Sequence, residues 1–128
     1  MQDLRLFKEA KELCSYVMVI TEKSPVKYRH TIVNRLHNLY LDVIENFYLA
    51  NEVFIDETNL TSTYRLRRNY QNAALSKLQM IGFLSELAMK RGVILPKQFE
   101  RITKIASTCQ NLLGGWIASD KKRIGLKS

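Results

Sequence analysis

Glycine, proline and cysteine are scarce in this chain, at five, two and two in 128 residues. Phosphate-cradling loops need closely spaced glycines after a strand, and Gly82, Gly92, Gly114, Gly115 and Gly125 match neither the P-loop nor the dinucleotide fingerprint. Nucleotide hydrolysis is therefore not expected. Cys14 and Cys109 stand nearly a chain length apart, each on an apolar helical stripe, which points to buried reduced thiols rather than a disulfide or a metal site. No run of 18 apolar residues is present to span a membrane, and residues 1–13 carry charges where a signal peptide would be apolar, so a cytoplasmic location is expected. The two histidines, His30 and His37, are seven residues apart, about 10.5 Å of helical rise, too far to share a metal ion. No Glu sits three residues before either, so the di-iron pattern of helical bundles is missing. Glu45 and Glu52 share a helix face, but solvation explains them without acid-base chemistry. The expectation is a non-enzyme with no catalytic residues, no metal and no cofactor.

At 46% hydrophobic and 25% charged residues, the composition is that of an ordinary globular protein, and the length suits one domain. Sparse punctuation leaves long helical stretches. Breaks fall at Lys23-Ser24-Pro25, at Asp56-Glu57-Thr58-Asn59, and at Arg91-Gly92 followed by Leu95-Pro96. The first segment, about 3–22, places Leu6, Phe7, Ala10, Leu13, Cys14, Val17 and Ile20 on one face. The second, about 29–55, has a seam of Ile32, Leu36, Leu39, Val43, Phe47, Ala50 and Phe54. The third, about 62–90, opens with Thr61 and Ser62 as N-cap candidates, directs Leu66, Tyr70, Ala73, Ala74, Ile81, Leu84 and Ala88 inward, and closes on Gly92. The fourth starts near Pro96 and repeats apolar residues at Phe99, Ile102, Ala106, Cys109, Leu113 and Trp116. Short connections between such helices predict an all-α fold, an antiparallel up-down four-helix bundle over 1–119, with 120–128 a basic tail fraying into solvent.

Two helices carry more apolar surface than a lone bundle covers. Val33, Ile44, Tyr48 and Ile55 form a second stripe roughly 100° from the first, and Leu75, Met80 and Phe83 lie off the main seam of the third helix. A homo-oligomer interface using Ile44, Tyr48, Leu75, Phe83 and Trp116 is expected. Trp116 continues the apolar stripe, so core or interface is its expected home, with base stacking the lesser alternative. Glycine within a helix costs about 1 kcal/mol against alanine. At Gly82 and Gly114-Gly115, close approach of another helix or a loosening before Trp116 would offset it.

Acidic residues are the other scarcity. Residues 64–128 hold 13 of the 20 Lys and Arg but 3 of the 12 Asp and Glu, a net charge near +10, while residues 1–63 come out near −2. Clustered positive charge attracts polyanions and releases their counterions. On the fourth helix Lys97, Arg101 and Lys104 follow i, i+4, i+7 spacing, within about 60° of each other. The third adds Arg65, Arg67, Arg68 and Lys90, and the tail adds Lys121, Lys122 and Arg123. A solvated face is the plain alternative, but one with acids nearly absent is less readily explained so. Arginine forks suit phosphate, and Tyr64 and Tyr70 are placed to stack on unpaired bases. No base-reading motif is present, so the expected binding is weakly sequence-specific and strongly salt-dependent.

The segment Leu112-Leu113-Gly114-Gly115-Trp116-Ile117-Ala118-Ser119, followed by Lys121-Lys122-Arg123, resembles the close of the fourth helix in the accessory variability determinant family of diversity-generating retroelements. Pro96 at that helix's start and Asn72-Ala73-Ala74-Leu75 with Leu78 extend the likeness over the second half of the chain; the first half is similar only in helix pattern. The resemblance implies a homopentameric barrel of four-helix protomers that is no enzyme itself. It implies binding to the element's reverse transcriptase and template RNA, supporting mutagenic cDNA synthesis. Proteins encoded in intervening sequences of 23S ribosomal RNA genes are related, but their Arg-Arg-Ala-Ala and Asn-Ile-Ala-Glu-Gly segments are missing here. Gln79 and Glu86 stand where a more basic pattern belongs, so the family's contact residues do not transfer one by one. The alternative reading is a four-helix scaffold, or an intervening-sequence-type protein, whose basic face docks an acidic protein or ribosomal RNA.

Overall fold

The computed structural model describes the backbone of residues 4–127 and the side chains of residues 4–125. Four long helices account for nearly all of it, and no strand occurs among the described residues. Helix α1 (Leu4–Ile20) buries Leu6, Phe7, Ala10, Leu13, Cys14 and Val17 as its periodicity dictates. Helix α2, residues 26–52, opens as a single turn Val26–Tyr28, widens into a π-helical stretch Arg29–Val33, and continues as Asn34–Glu52. Helix α3 (Leu60–Lys90) follows a 3-10 turn at Glu57–Asn59, and helix α4 (Pro96–Lys127) follows a short link.

Side-chain contacts fix the relative directions. The ring of Phe7, early in α1, meets Phe47 and Tyr48 late in α2, while Thr21 just past α1 bonds His37 near the start of α2. Lys77 pairs with Asp42, and Arg67, near the start of α3, reaches back to the Val53 carbonyl at the end of α2. Arg67 also meets Asp120 near the end of α4. Each neighbouring pair α1–α2, α2–α3 and α3–α4 therefore runs antiparallel, and contact between α1 and α4 closes the ring. The core between them is one cluster that draws on all four helices, with Val17, Leu36, Phe47, Ile81, Ile102 and Leu113 fully enclosed. Removing Phe47 to alanine there would cost about 3–5 kcal/mol.

Helix ends follow local chemistry. At the end of α3, Gly92 takes φ +74, the Gly92 N–H bonds the Met89 carbonyl, and the Val93 N–H bonds the Ala88 carbonyl at 2.8 Å. These two bonds are a Schellman motif, which glycine enters without a Cβ penalty. Helix α4 starts at Pro96, and the Gln98 side chain accepts from the Leu95 N–H at 2.8 Å. Thr61 and Ser62 are not the caps of α3. Asp56 takes that work upstream by accepting from the Thr58 N–H at 3.0 Å, which bends the chain into the 3-10 turn that leads into the helix.

Several sequence expectations are overturned. The Asn34–Glu52 portion ends α2 three residues earlier than its pattern suggests, and Val53 is extended. Successive side chains then point to opposite sides, so Phe54, expected in the seam, is 77% exposed and Ile55, expected on an outer stripe, is buried. Val33 is buried alongside Ile32, because the wide π turn rotates both toward the core. Leu66 is exposed, since Arg67 and Gln71 take the inward position at that level of α3. A Cβ built at Gly82, Gly114 or Gly115 would meet nothing within 4 Å, and α4 passes through Gly114-Gly115 as helix. Neither close approach within the protomer nor a break of α4 accounts for those glycines. The segment expected to fray continues α4 instead; its end, from Leu126, lies outside the described side chains, and Ser128 outside the described backbone.

Candidate nucleic-acid interface

Antiparallel packing of α3 and α4 divides the basic residues between two ends of the bundle. Contact of Arg67 with Asp120 places Arg65 and Arg68 at the same end of the bundle as Lys121, Lys122 and Arg123. The link 91–95 brings Lys90 beside Lys97, Arg101 and Lys104 at the other. About 33 Å of helix separates Arg68 from Lys90 at 1.5 Å per residue. The basic residues thus lie at two ends of the bundle, not in a single continuous patch.

Their members differ in availability. Lys97, Lys104, Lys121, Lys122, Arg123 and Arg65 are exposed and form no ion pair among the described residues. Arg101 lies 3.5 Å from Glu12 and over the Tyr16 ring at 4.9 Å, which tethers it to α1 while leaving it half in solvent. Lys90 pairs with Glu86 one turn back at 3.4 Å. Exposed pairs of this kind are worth about 0–1 kcal/mol, so a phosphate can displace either carboxylate. Arg68 is half-buried, and its Nη1 has no hydrogen-bond partner.

Arg67 does not belong to the interface. Its Nη1 donates to Asp120 at 2.9 Å, its Nε and Nη2 both donate to the Val53 carbonyl, and its guanidinium lies 5.8 Å from the Trp116 ring centre. The two side chains are 12% and 5% exposed, and Gln71, fully buried, donates to the other Asp120 oxygen at 3.1 Å. A planar fork with all three nitrogens hydrogen-bonded and an indole beside it has little left for phosphate. It works instead as a clamp that ties the end of α2, the start of α3 and the last turns of α4 together. Gln71 and Asp120 were not foreseen as partners, because a pairing across 49 residues leaves no periodic signal.

The proposed interface residues separate in the same way. Trp116 is 8% exposed and belongs to the protomer core, which corrects its assignment to an oligomer contact. Ile44 and Leu75 are partly buried against that core. Tyr48, at 43%, and Phe83, at 58%, are exposed. On α3 Met80 and Phe83 are exposed one turn apart, while Leu66, also exposed, lies about 21 Å further along the helix at 1.5 Å per residue.

Titratable groups in the interior are structural. Both cysteines are unpaired and buried; burial raises the Cys14 thiol and pushes Cys109 up to about 12, so both stay protonated at neutral pH. His37 meets the Thr21 hydroxyl at 2.9 Å, and His30 is exposed. No group of three or more His, Cys, Asp or Glu among the described residues could hold a metal ion, and no described helix is long and apolar enough to cross a membrane. What fold and surface define is an all-helical four-helix protein with basic residues at both ends of its α3–α4 pair. No protein-family model matches the chain, and no curated protein matches it.

Proposed function

We propose that this chain is a non-catalytic nucleic-acid-binding subunit of the retroelement accessory type, acting in the cytoplasm with a reverse transcriptase and its template RNA. The observation that carries the reading is the set of exposed cations on α4, Lys97, Lys104, Lys121, Lys122 and Arg123, left without carboxylate partners among the described residues. Such a set repels itself in isolation and is relieved by a polyanion, with counterion release as the driving term. The likeness of residues 112–119 to the family's fourth-helix close supports the same assignment. Association into a homo-oligomer, a pentamer by the same likeness, is supported by Met80 and Phe83, exposed apolar side chains one turn apart on α3 that a second copy would cover.

The experiment is a binding titration of labelled RNA at ~150 mM salt, where charges more than about 8 Å apart are screened. The variant with Lys97→Ala, Arg101→Ala and Lys104→Ala together should bind RNA more weakly while melting with the wild type. Undiminished RNA affinity in that variant would remove this end of α4 as the contact surface. Failure of the wild-type protein to bind RNA, with retention of an acidic protein, would favour the scaffold reading instead.

A further inference from the structure

A further surface combines cations with exposed aromatic rings; apart from Arg123, which it shares with the basic end of α4, its cations and rings come from residues 1–63. Two clefts adjoin at the end of the bundle where α1 begins and α2 ends. The first, about 410 Å³, is lined by Leu4, Phe7, Lys8, Lys11, Tyr48 and Asn51, and the second, about 470 Å³, by Asn51, Phe54 and Arg123 among others. Asn51 lines both, and it is the residue at which the two halves of the track meet. Two cations, Lys8 and Lys11, stand at one side of it with Tyr48, and Phe54 and Arg123 stand at the other.

We infer that this track binds a single strand of nucleic acid, with unpaired bases stacked on Tyr48 and Phe54 and phosphates on Lys8, Lys11 and Arg123. The inference rests on the nucleic-acid reading above and names its ligand class. Phe54 is the strongest support: it sits on the extended link after α2 with most of its ring in water, an arrangement that contributes little to folding and presents a π-face. Lys11 holds its ammonium 5.3 Å from the Tyr48 ring centre. An arriving base replaces that cation on the ring, and Lys11 turns to the neighbouring phosphate. Glu52 also lines the second cleft and repels phosphate, so the backbone of the strand runs on the Arg123 side and its base on the Phe54 side. The amide of Asn51, between the rings, offers both donors and an acceptor to a base edge. Stacked aromatics with flanking cations are how single strands are held without sequence preference, and a duplex, whose bases are already stacked, gains nothing from the rings.

The test compares fluorescence anisotropy of a labelled single-stranded RNA with its duplex, for wild type, Phe54→Ala, Tyr48→Ala, and the stacking-competent Phe54→Trp and Tyr48→Phe. Each alanine should raise the single-strand Kd at least about fivefold and leave duplex binding within twofold; the aromatic replacements should bind as wild type. Phe54→Trp adds a direct readout, indole quenching by single strand and not by duplex. If wild type binds single strand and both alanine variants bind it equally well, the track is wrong and the basic-cluster reading stands. If wild type binds neither nucleic acid, both fall. If polyglutamate, which has charge and no bases, binds with the same sensitivity to these alanines, the track is a dock for acidic protein and the inference is overturned.

Discussion

Arg67 shows how one side chain can leave a functional set once its surroundings are known. Read along the sequence, it is one of three arginines between two tyrosines; in the fold it is the hub joining Val53, Asp120 and Trp116. A buried ion pair does not by itself stabilise relative to an apolar pair, but deleting one partner strands the other charge. Arg67→Ala should therefore destabilise the protein by about 3–5 kcal/mol, because it leaves Asp120 buried and the Val53 carbonyl unpaired. Urea unfolding checks this, and a loss below about 1 kcal/mol would mean that the clamp is not holding the chain. The neighbouring Arg65 is exposed, so its alanine variant should unfold with the wild type. Within the core, Tyr40 of α2 and Ser85 of α3 are buried with hydroxyls that have no hydrogen-bond partner, and burial raises the Tyr40 hydroxyl far above its ordinary range, keeping it neutral.

Among the elements, α1 and α4 were the most legible in sequence because their apolar positions repeat without interruption, from Leu6 to Val17 and from Ile102 to Trp116. Gly92 and Pro96 marked the α3–α4 link for reasons that act within a few residues. Helix α2 was less legible at both ends. Its π-helical stretch inserts a register change that a 3.6-residue template cannot anticipate, and its early stop at Glu52 exchanged the fates of Phe54 and Ile55. The surface that combines Lys8, Lys11, Tyr48 and Phe54 could not be read in advance, since it assembles from two helices and a link and has no spacing of its own. The α1–α2 junction carries a pH dependence. Burial lowers the pKa of His37 from its ordinary 6.5, so the folded state favours the neutral ring that meets Thr21. The unfolded chain takes up the proton first; stability is full above about 6.5, falls as the pH drops toward the lower folded value, and levels off once both states are protonated. Melting temperatures of wild type and His37→Gln between pH 7.5 and 5 check this. The wild type should lose stability relative to the variant, and parallel curves would show that His37 does not titrate as described.

For the whole molecule, charge and apolar surface point to different partners. Cations gather at both ends of the α3–α4 pair, while Met80 and Phe83 are exposed between Arg68 and Lys90 along α3. The proposed association of copies would use Met80 and Phe83, and its mass is the check. Light scattering at micromolar concentration should accordingly return a mass several times the 14.9 kDa of one chain, and a monomer would remove the association. The central claim is that cations left unpaired in the protomer exist to meet phosphate. Its most direct test is the salt dependence of RNA affinity, measured for wild type and for the Lys97→Ala, Arg101→Ala, Lys104→Ala variant from ~50 to ~300 mM salt. Each phosphate contact contributes a slope of about −0.7 for a single strand and −0.9 for a duplex in log K against log salt. The account predicts a steep wild-type slope and a variant slope shallower by about two units; a flat wild-type slope, or two parallel lines, would contradict it.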